Sequence, residues 1–75
     1  MNKERRNKIN ALKEQIDEIK SDLENIKCDE EISYDSIPDN LKESDRAQNS
    51  ENAIDALDEA INSLEEAVSS LEEIE

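Results

Sequence analysis

The feature that most constrains this chain is a seven-residue phrase repeated three times without a break, from Ala53 to Glu73: AIDALDE, AINSLEE, AVSSLEE. Each repeat has a β-branched residue at heptad position a and a leucine at position d. These residues are Ile54, Ile61 and Val68 at a, and Leu57, Leu64 and Leu71 at d. Apolar residues spaced alternately by three and four are the signature of a coiled coil. The repeat predicts a helix over about 45–75 that buries one stripe against a neighbouring helix.

The first half of the chain carries a second heptad pattern and predicts a helix over about 3–31. Its a positions are Ile9, Ile16 and Leu23, and its d positions are Leu12, Ile19 and Ile26. Position e is basic in four successive heptads, at Arg6, Lys13, Lys20 and Lys27. Since position e of the second helix is acidic, the charges of the two helices complement each other.

The connector, about 32–44, contains turn-forming residues and ends near Ser44 or Asp45, either of which can cap the second helix. Asp45 and Gln48 also have the spacing of a capping box. A connection this short predicts an antiparallel hairpin. Pairing a with d then closes six layers in one register, from Ile9–Leu71 to Ile26–Ile54. The same register pairs the e columns as Arg6–Glu72, Lys13–Glu65, Lys20–Asp58 and Lys27–Glu51. We therefore expect a single all-α domain, an antiparallel two-helix coiled-coil hairpin over 1–75.

Position g of the second helix is alanine in each repeat, at Ala53, Ala60 and Ala67. Small residues beside the seam let another helix approach closely. The alanine column therefore predicts self-association, with two hairpins forming a homodimeric four-helix bundle, or the docking of a partner's helix there.

The charge is strongly negative, −13 in total, and residues 50–75 contain nine acidic side chains and no basic one. Because phosphate groups are bound by Lys and Arg, this charge disfavours direct contact with nucleic acid or an anionic membrane. Basic protein surfaces are the expected partners. With no secretory signal and no long apolar run, we expect a cytoplasmic protein.

No chemical site is expected. Histidine is absent, Cys28 is the only cysteine, and the seam positions are apolar, so no catalytic, cofactor or metal site is predicted and the chain is not expected to be an enzyme. Cys28 lies at an outward position of the first helix, and the sequence assigns it no role.

Two surfaces are candidates for partner binding. The first, the acidic face, consists of the e and f columns of the second helix: Asp58, Glu59, Glu65, Glu66, Glu72 and Glu73. It either imitates a phosphate backbone or is a solvated face that keeps the hairpin soluble. The second is the loop end, with Tyr34, Ile37, Leu41 and Arg46. Its apolar residues either cap the open end of the helices or form an exposed anchor.

The segments MNKERRNKI, YDSIPDNLKESDRAQ and AIDALDEAINSLEEAVSSLEEI resemble a family of small acidic helical proteins encoded by phages and prophages of Gram-positive bacteria. The most specific portion is Tyr34-Asp35 followed by Pro38, Asn40-Leu41, Ser44 and Arg46. The resemblance implies phage origin, no enzymatic activity and action in the cytoplasm of an infected host. Small phage proteins of this kind often bind and disable a host enzyme, including defence nucleases.

These observations lead to two hypotheses. The first is a non-enzymatic interaction protein that inhibits or redirects a host protein, with a nucleic-acid-handling defence enzyme as the expected target. Contact would run through the acidic face or the loop end. The alternative is a self-associating structural or assembly protein of a phage gene cluster, with no host target and with its function dependent on the alanine column.

Overall fold

The computed structural model describes residues 1–74 and contains two long helices, α1 (Lys3–Asp35) and α2 (Asp45–Glu72). A short 3-10 turn, Asp39–Leu41, lies between them. The helices pack side by side in opposite directions, and the Cα atoms span 59 × 15 × 13 Å. No strand occurs within the described residues. The predicted all-α helical hairpin is confirmed, while Glu75, included in the predicted second helix, lies outside the described residues.

Helix α1 is one turn longer than the sequence predicted. It begins after Asn2, whose side-chain oxygen accepts a hydrogen bond from the Arg5 backbone N–H at 2.8 Å. It ends at Asp35 rather than near residue 31, and Ser36 is its C-cap. The break in the heptad pattern after residue 31 suggested a loop, but the first residue that opposes helix formation is Pro38, which restricts the residue before it.

Helix α2 begins at a side-chain cap and ends at Glu72. The hydroxyl of Ser44 accepts a hydrogen bond from the Ala47 backbone N–H at 3.3 Å. Ser44 is therefore the N-cap, so the second helix starts where the sequence indicated. Asp45 is the first residue of the helix, and the capping box predicted from Asp45 and Gln48 does not form.

The two helices use different heptad columns at their interface. On α2, columns a and d are buried or half-buried from Ala47 to Leu71, as predicted. On α1, column a is half-buried together with column e, whose members are Lys13, Lys20, Lys27 and Tyr34. Column d of α1 remains outside: Leu12 is 52% exposed, Ile19 51% and Ile26 53%. The prediction that these three residues lie in the seam was wrong.

Polar contacts at the loop end fix this rotation of α1. The Ser50 hydroxyl donates to a Glu30 carboxylate oxygen at 2.7 Å, and the Tyr34 hydroxyl donates to Glu51 at 2.5 Å. Glu30 occupies position a, which faces α2 in either seam, whereas Tyr34 occupies position e, so the bond of Tyr34 turns column e toward α2. Along the rest of the helix the lysines of column e are half-buried, since a lysine can lay its methylene chain on apolar surface while its amino group reaches solvent or a carboxylate.

The lengthwise register is the one expected from the sequence. At one end of the hairpin Glu30 is bonded to Ser50, and at the other end Ile9 and Leu71 line one shallow groove. Each contact matches the a-to-d pairing of the predicted seam. Rotation of α1 about its axis has therefore exchanged column d for column e without sliding the helix along its partner.

The ion pairs are displaced by one heptad from those predicted. Lys20 lies 3.7 Å from Glu65, and Lys27 lies 2.6 Å from Asp58, so the predicted pairs Lys20–Asp58 and Lys27–Glu51 were wrong. Side chains on a helix tilt toward its N-terminus. In an antiparallel pair this tilt carries Lys20 toward the C-terminal part of α2, where Glu65 tilts to meet it.

Candidate interaction surfaces

The acidic face lies on the outside of α2, and all six of its residues are exposed. Its two columns differ in their environment. Within column e, Asp58 and Glu65 form ion pairs with Lys27 and Lys20. Within column f, none of the ion pairs formed among residues 1–74 involves Glu59, Glu66 or Glu73. Column f is therefore the column of the acidic face in which no carboxylate is paired among these residues, and Glu72 is the one member of column e that also forms no ion pair there.

The charge density of this face can be compared with that of a nucleic acid. From Asp58 to Glu73 the helix rises about 22 Å, at 1.5 Å per residue. With two of the six carboxylates paired to lysine, one unpaired charge remains for roughly every 6 Å of helix, against about 3.4 Å in a single DNA strand and 1.7 Å in a duplex. The face therefore matches a basic protein surface with separate cationic sites better than it matches a channel fitted to duplex DNA.

Lys27 is electrostatically tied to the acidic face. Its hydrogen bond to Asp58, with smaller contributions from the negative charges of Asp58, Glu31 and Glu24, raises the pKa of the Lys27 ammonium above its usual value. The Lys27 ammonium therefore remains charged throughout the neutral range. Column e of α2 consequently helps to hold α1 and is less accessible to a partner than column f.

The loop end is closed by its own apolar residues. Ile37 is 7% exposed and Ala47 is 0% exposed, so both lie within the hairpin. Tyr34 is half-buried, and its hydroxyl is bonded to Glu51. Ile37 and Tyr34 therefore support the junction between the helices, as in the first of the two interpretations of this end.

Lys42 contacts Tyr34, and the sequence did not indicate this contact. Its amino group lies 4.3 Å from the centre of the Tyr34 ring and 3.3 Å from the Tyr34 carbonyl oxygen. A cation at the C-terminus of a helix interacts favourably with the helix dipole and with its unpaired carbonyl groups. The last turn of α1 contains no basic residue, so Lys42 supplies that charge from the connector.

Tyr34 also has a shifted ionisation. The hydrogen bond to Glu51, followed by partial desolvation and by the charges of Glu51 and Asp35, raises the pKa of the Tyr34 hydroxyl above its usual value. The tyrosine stays neutral and acts as a donor at physiological pH. Of the predicted loop-end residues, Leu41, which is 50% exposed, and Arg46, which is exposed, remain accessible to another molecule.

The hairpin has an apolar surface that the heptad pattern alone did not reveal, and we call it the open face. It combines the exposed d column of α1 with the g column of α2: Leu12, Ile19, Ile26, Ala53, Ala60 and Ala67. Residues advance about 100° around a helix per position. On α1, the seam column a therefore separates column d from Lys20 and Lys27 of column e. On α2, the seam columns a and d separate column g from Asp58 and Glu65 of column e. Both columns are consequently on the side of the hairpin opposite the ion pairs.

The part of α2 on this side is also free of charge. Between Ala47 and Leu71, columns c and g contain only alanine, serine and asparagine, and all of these residues are exposed. The acidic residues of α2 in this range occur at columns b, e and f. The two sides of α2 are thus chemically distinct, since one is highly charged and the other is neutral.

Other potential sites are limited within residues 1–74. Cys28 is an exposed free thiol. No group of three or more His, Cys, Asp or Glu in this part of the chain is arranged to hold a metal ion. Neither helix, within the same residues, has the length and apolarity of a segment that crosses a membrane.

No family model, curated protein or solved structure matches this chain. The resemblance to small phage proteins therefore stays a prediction. Function must be argued from the surfaces of the hairpin.

Proposed function

We propose that this hairpin is a non-enzymatic interaction protein that binds a basic surface on a host protein and inhibits or redirects it. The observation that carries the proposal is column f of α2, where Glu59, Glu66 and Glu73 are exposed and form no ion pair among the described residues. A surface of this kind attracts Lys- and Arg-rich patches over distances set by ionic strength.

The target class follows from charge and from the resemblance. Proteins that handle nucleic acids have basic surfaces that track phosphates. An acidic helix can occupy part of such a surface and compete with the nucleic acid. The resemblance to phage-encoded proteins supports a bacterial host and a defence enzyme as the target, with the cytoplasm of the infected cell as the place of action.

The test is a pull-down from a Gram-positive host lysate with the tagged hairpin, eluted in a salt gradient and analysed by mass spectrometry. The informative variant is Glu59→Gln/Glu66→Gln/Glu73→Gln, which removes three charges from α2. The matched control is Asp17→Asn/Glu24→Gln/Glu31→Gln, which removes the same number of exposed charges from α1. Any host protein recovered can then be assayed for inhibition.

We expect wild type and the α1 control to retain the same nucleic-acid enzyme, which moderate salt releases, and the α2 variant to lose it. Retention by the α2 variant would contradict a role for the acidic face. Binding that then depended on Leu41 and Arg46 would transfer the contact to the loop end.

The second candidate function is a self-associating structural or assembly protein. The specific observation that favours it is the open face, which leaves Leu12, Ile19 and Ile26 half in solvent. This function predicts recovery of no host protein, and its activity would depend on the open face and not on column f.

A further inference from the structure

The open face is an apolar surface that neither helix of the hairpin covers. Its three large residues are each just over half exposed, and they are evenly spaced along one side of α1 beside the alanine column of α2. Contiguous apolar surface of this kind usually marks a site of association. We propose that the open face binds a second copy of the same chain, with the two copies related by a two-fold axis that passes close to Ile19 and Ala60. This proposal deepens the self-association function and holds whether or not column f binds a host protein.

The register of the hairpin places the axis. Because Ile9 is level with Leu71 and Glu30 with Ser50, Ile19 is level with Ile61, one residue from Ala60. An axis at this level, perpendicular to the helices, sets each α1 antiparallel to the α1 of the second copy. Ile19 of one copy then meets Ile19 of the other. Leu12 of each copy meets Ile26 of the other. On α2, Ala60 meets Ala60, and Ala53 meets Ala67. The face is therefore self-complementary, as a two-fold interface requires.

The charges beside the open face support the same arrangement. Column g of α1, which borders the d column on its outer side, contains Lys8, Gln15, Asp22 and Asp29. Antiparallel pairing about Ile19 places Lys8 opposite Asp29 of the second copy and Gln15 opposite Asp22. Within column g, this pairing brings no two like charges together. If the copies were parallel, α1 would lie against α2 of the second copy, and Asp22 and Asp29 would face its alanine and serine columns with no cation.

The size of the face suits a reversible dimer. The open face and the neutral column c of α2 beside it together extend from Asn49 to Ser70, about 32 Å at 1.5 Å per residue. With a hairpin width of 15 Å, this side of the hairpin covers about 500 Å² in projection on each copy, or about 1,000 Å² for the pair, the lower limit for a specific interface. Each copy carries a charge of −13, so repulsion opposes association and salt that screens it favours the dimer.

The experiment has two parts, both at several protein and salt concentrations. Sedimentation equilibrium measures the mass of wild type, of Ile19→Glu and of the control Asn25→Glu, which adds the same charge at an exposed position outside the open face. Disulfide formation is then tested in a Cys28→Ser background with four single-cysteine variants, Leu12→Cys, Ile19→Cys, Ile26→Cys and Ala60→Cys. Each variant is oxidised alone, and position 12 is also mixed with position 26 and position 19 with position 60. A circular dichroism spectrum establishes that each variant retains the helices.

We expect wild type and Asn25→Glu to shift from 8.6 kDa toward twice that mass as concentration and salt increase. Ile19→Glu should raise the dimer dissociation constant at least about 100-fold, because it places two unpaired charges on the axis. A thiol at position 19 should form a covalent dimer, and a thiol at position 12 should do so only when mixed with one at position 26. A wild-type mass that stays at the monomer value would overturn the proposal. So would an unaffected Ile19→Glu dimer, or a thiol at position 19 that links only to one at position 60.

Discussion

Replacement of Ala47 by leucine tests whether the loop end is the best-packed part of the hairpin. Ala47 is 0% exposed, and the residues that follow it on α2 include Ser50 and Glu51, which bond to α1. A leucine adds three carbon atoms at a position with no exposed surface. Overpacking of this kind costs about 1–3 kcal/mol. An isolated two-helix hairpin has only a few kcal/mol of stability, so the loss should be a large part of the total.

The matched control is Ala53→Leu. It makes the same substitution on the same helix, and thus the same change in helix propensity, at an exposed position. Thermal and urea unfolding are followed by circular dichroism at a concentration where wild type is monomeric. Ala47→Leu should lower the melting temperature by roughly 4–8 °C for each kcal/mol lost, whereas Ala53→Leu should leave it nearly unchanged. Equal stability of the two variants would refute the packing argument.

Three further predictions concern ionisation, the lysine column and the core. Tyr34 is the single aromatic residue, so ultraviolet absorbance should report its ionisation directly, with a midpoint above 10.0 that Glu51→Gln lowers. Folding raises the pKa of both Tyr34 and Lys27, so each group contributes its full stabilisation at pH values below its pKa in the unfolded chain. This stabilisation is lost as the pH rises through the pKa of the folded state. Urea unfolding across alkaline pH should therefore show a decline in the free energy of unfolding. Lys27→Met should weaken the hairpin mainly at low salt, whereas Lys27→Ala should weaken it at high salt too, since only the methionine preserves the buried stem. By denaturant unfolding of the monomer, Ile61→Ala (6% exposed) should cost about 2–5 kcal/mol, and Ile19→Ala (51% exposed) about 1 kcal/mol or less.

The hairpin and its register were predictable from the sequence because both depend on periodic apolar residues. The a and d columns of α2, and the level of Ile9 against Leu71, follow from spacing alone. The antiparallel direction follows from the short connector. A pattern repeated over many residues specifies such features even when no single residue is decisive.

The rotation of α1 was not predictable in this way. A binary pattern treats Lys13, Lys20 and Lys27 as polar, although their methylene stems can cover apolar surface. It also ignores single polar bonds, and the bond of Tyr34 to Glu51 holds column e, and not column d, toward α2. The exposure of Leu12, Ile19 and Ile26 follows from that bond and from the half-buried lysines of column e.

The candidate surfaces were predictable in part. Composition indicated the acidic face, but only the ion pairs of Lys20 and Lys27 show which of its columns is free. The alanine column was indicated by its spacing, while the larger residues that complete the open face were assigned to the seam. Lys42 gave no sequence signal, because its role depends on the path of the connector over the Tyr34 ring.

The most direct test of the rotation, and hence of the open face, compares the reactivity of thiols at positions 16 and 19 in the Cys28→Ser background. Ile16→Cys and Ile19→Cys place the same group three residues apart on α1, and alkylation is measured at a protein concentration where the chain is monomeric. The thiol at position 19 should react nearly as fast as in the unfolded chain. The thiol at position 16 should react at least about tenfold more slowly, the factor that about 1.4 kcal/mol of opening free energy gives. Equal rates, or protection at position 19 in the monomer, would show that column d of α1 lies in the seam and would contradict this account.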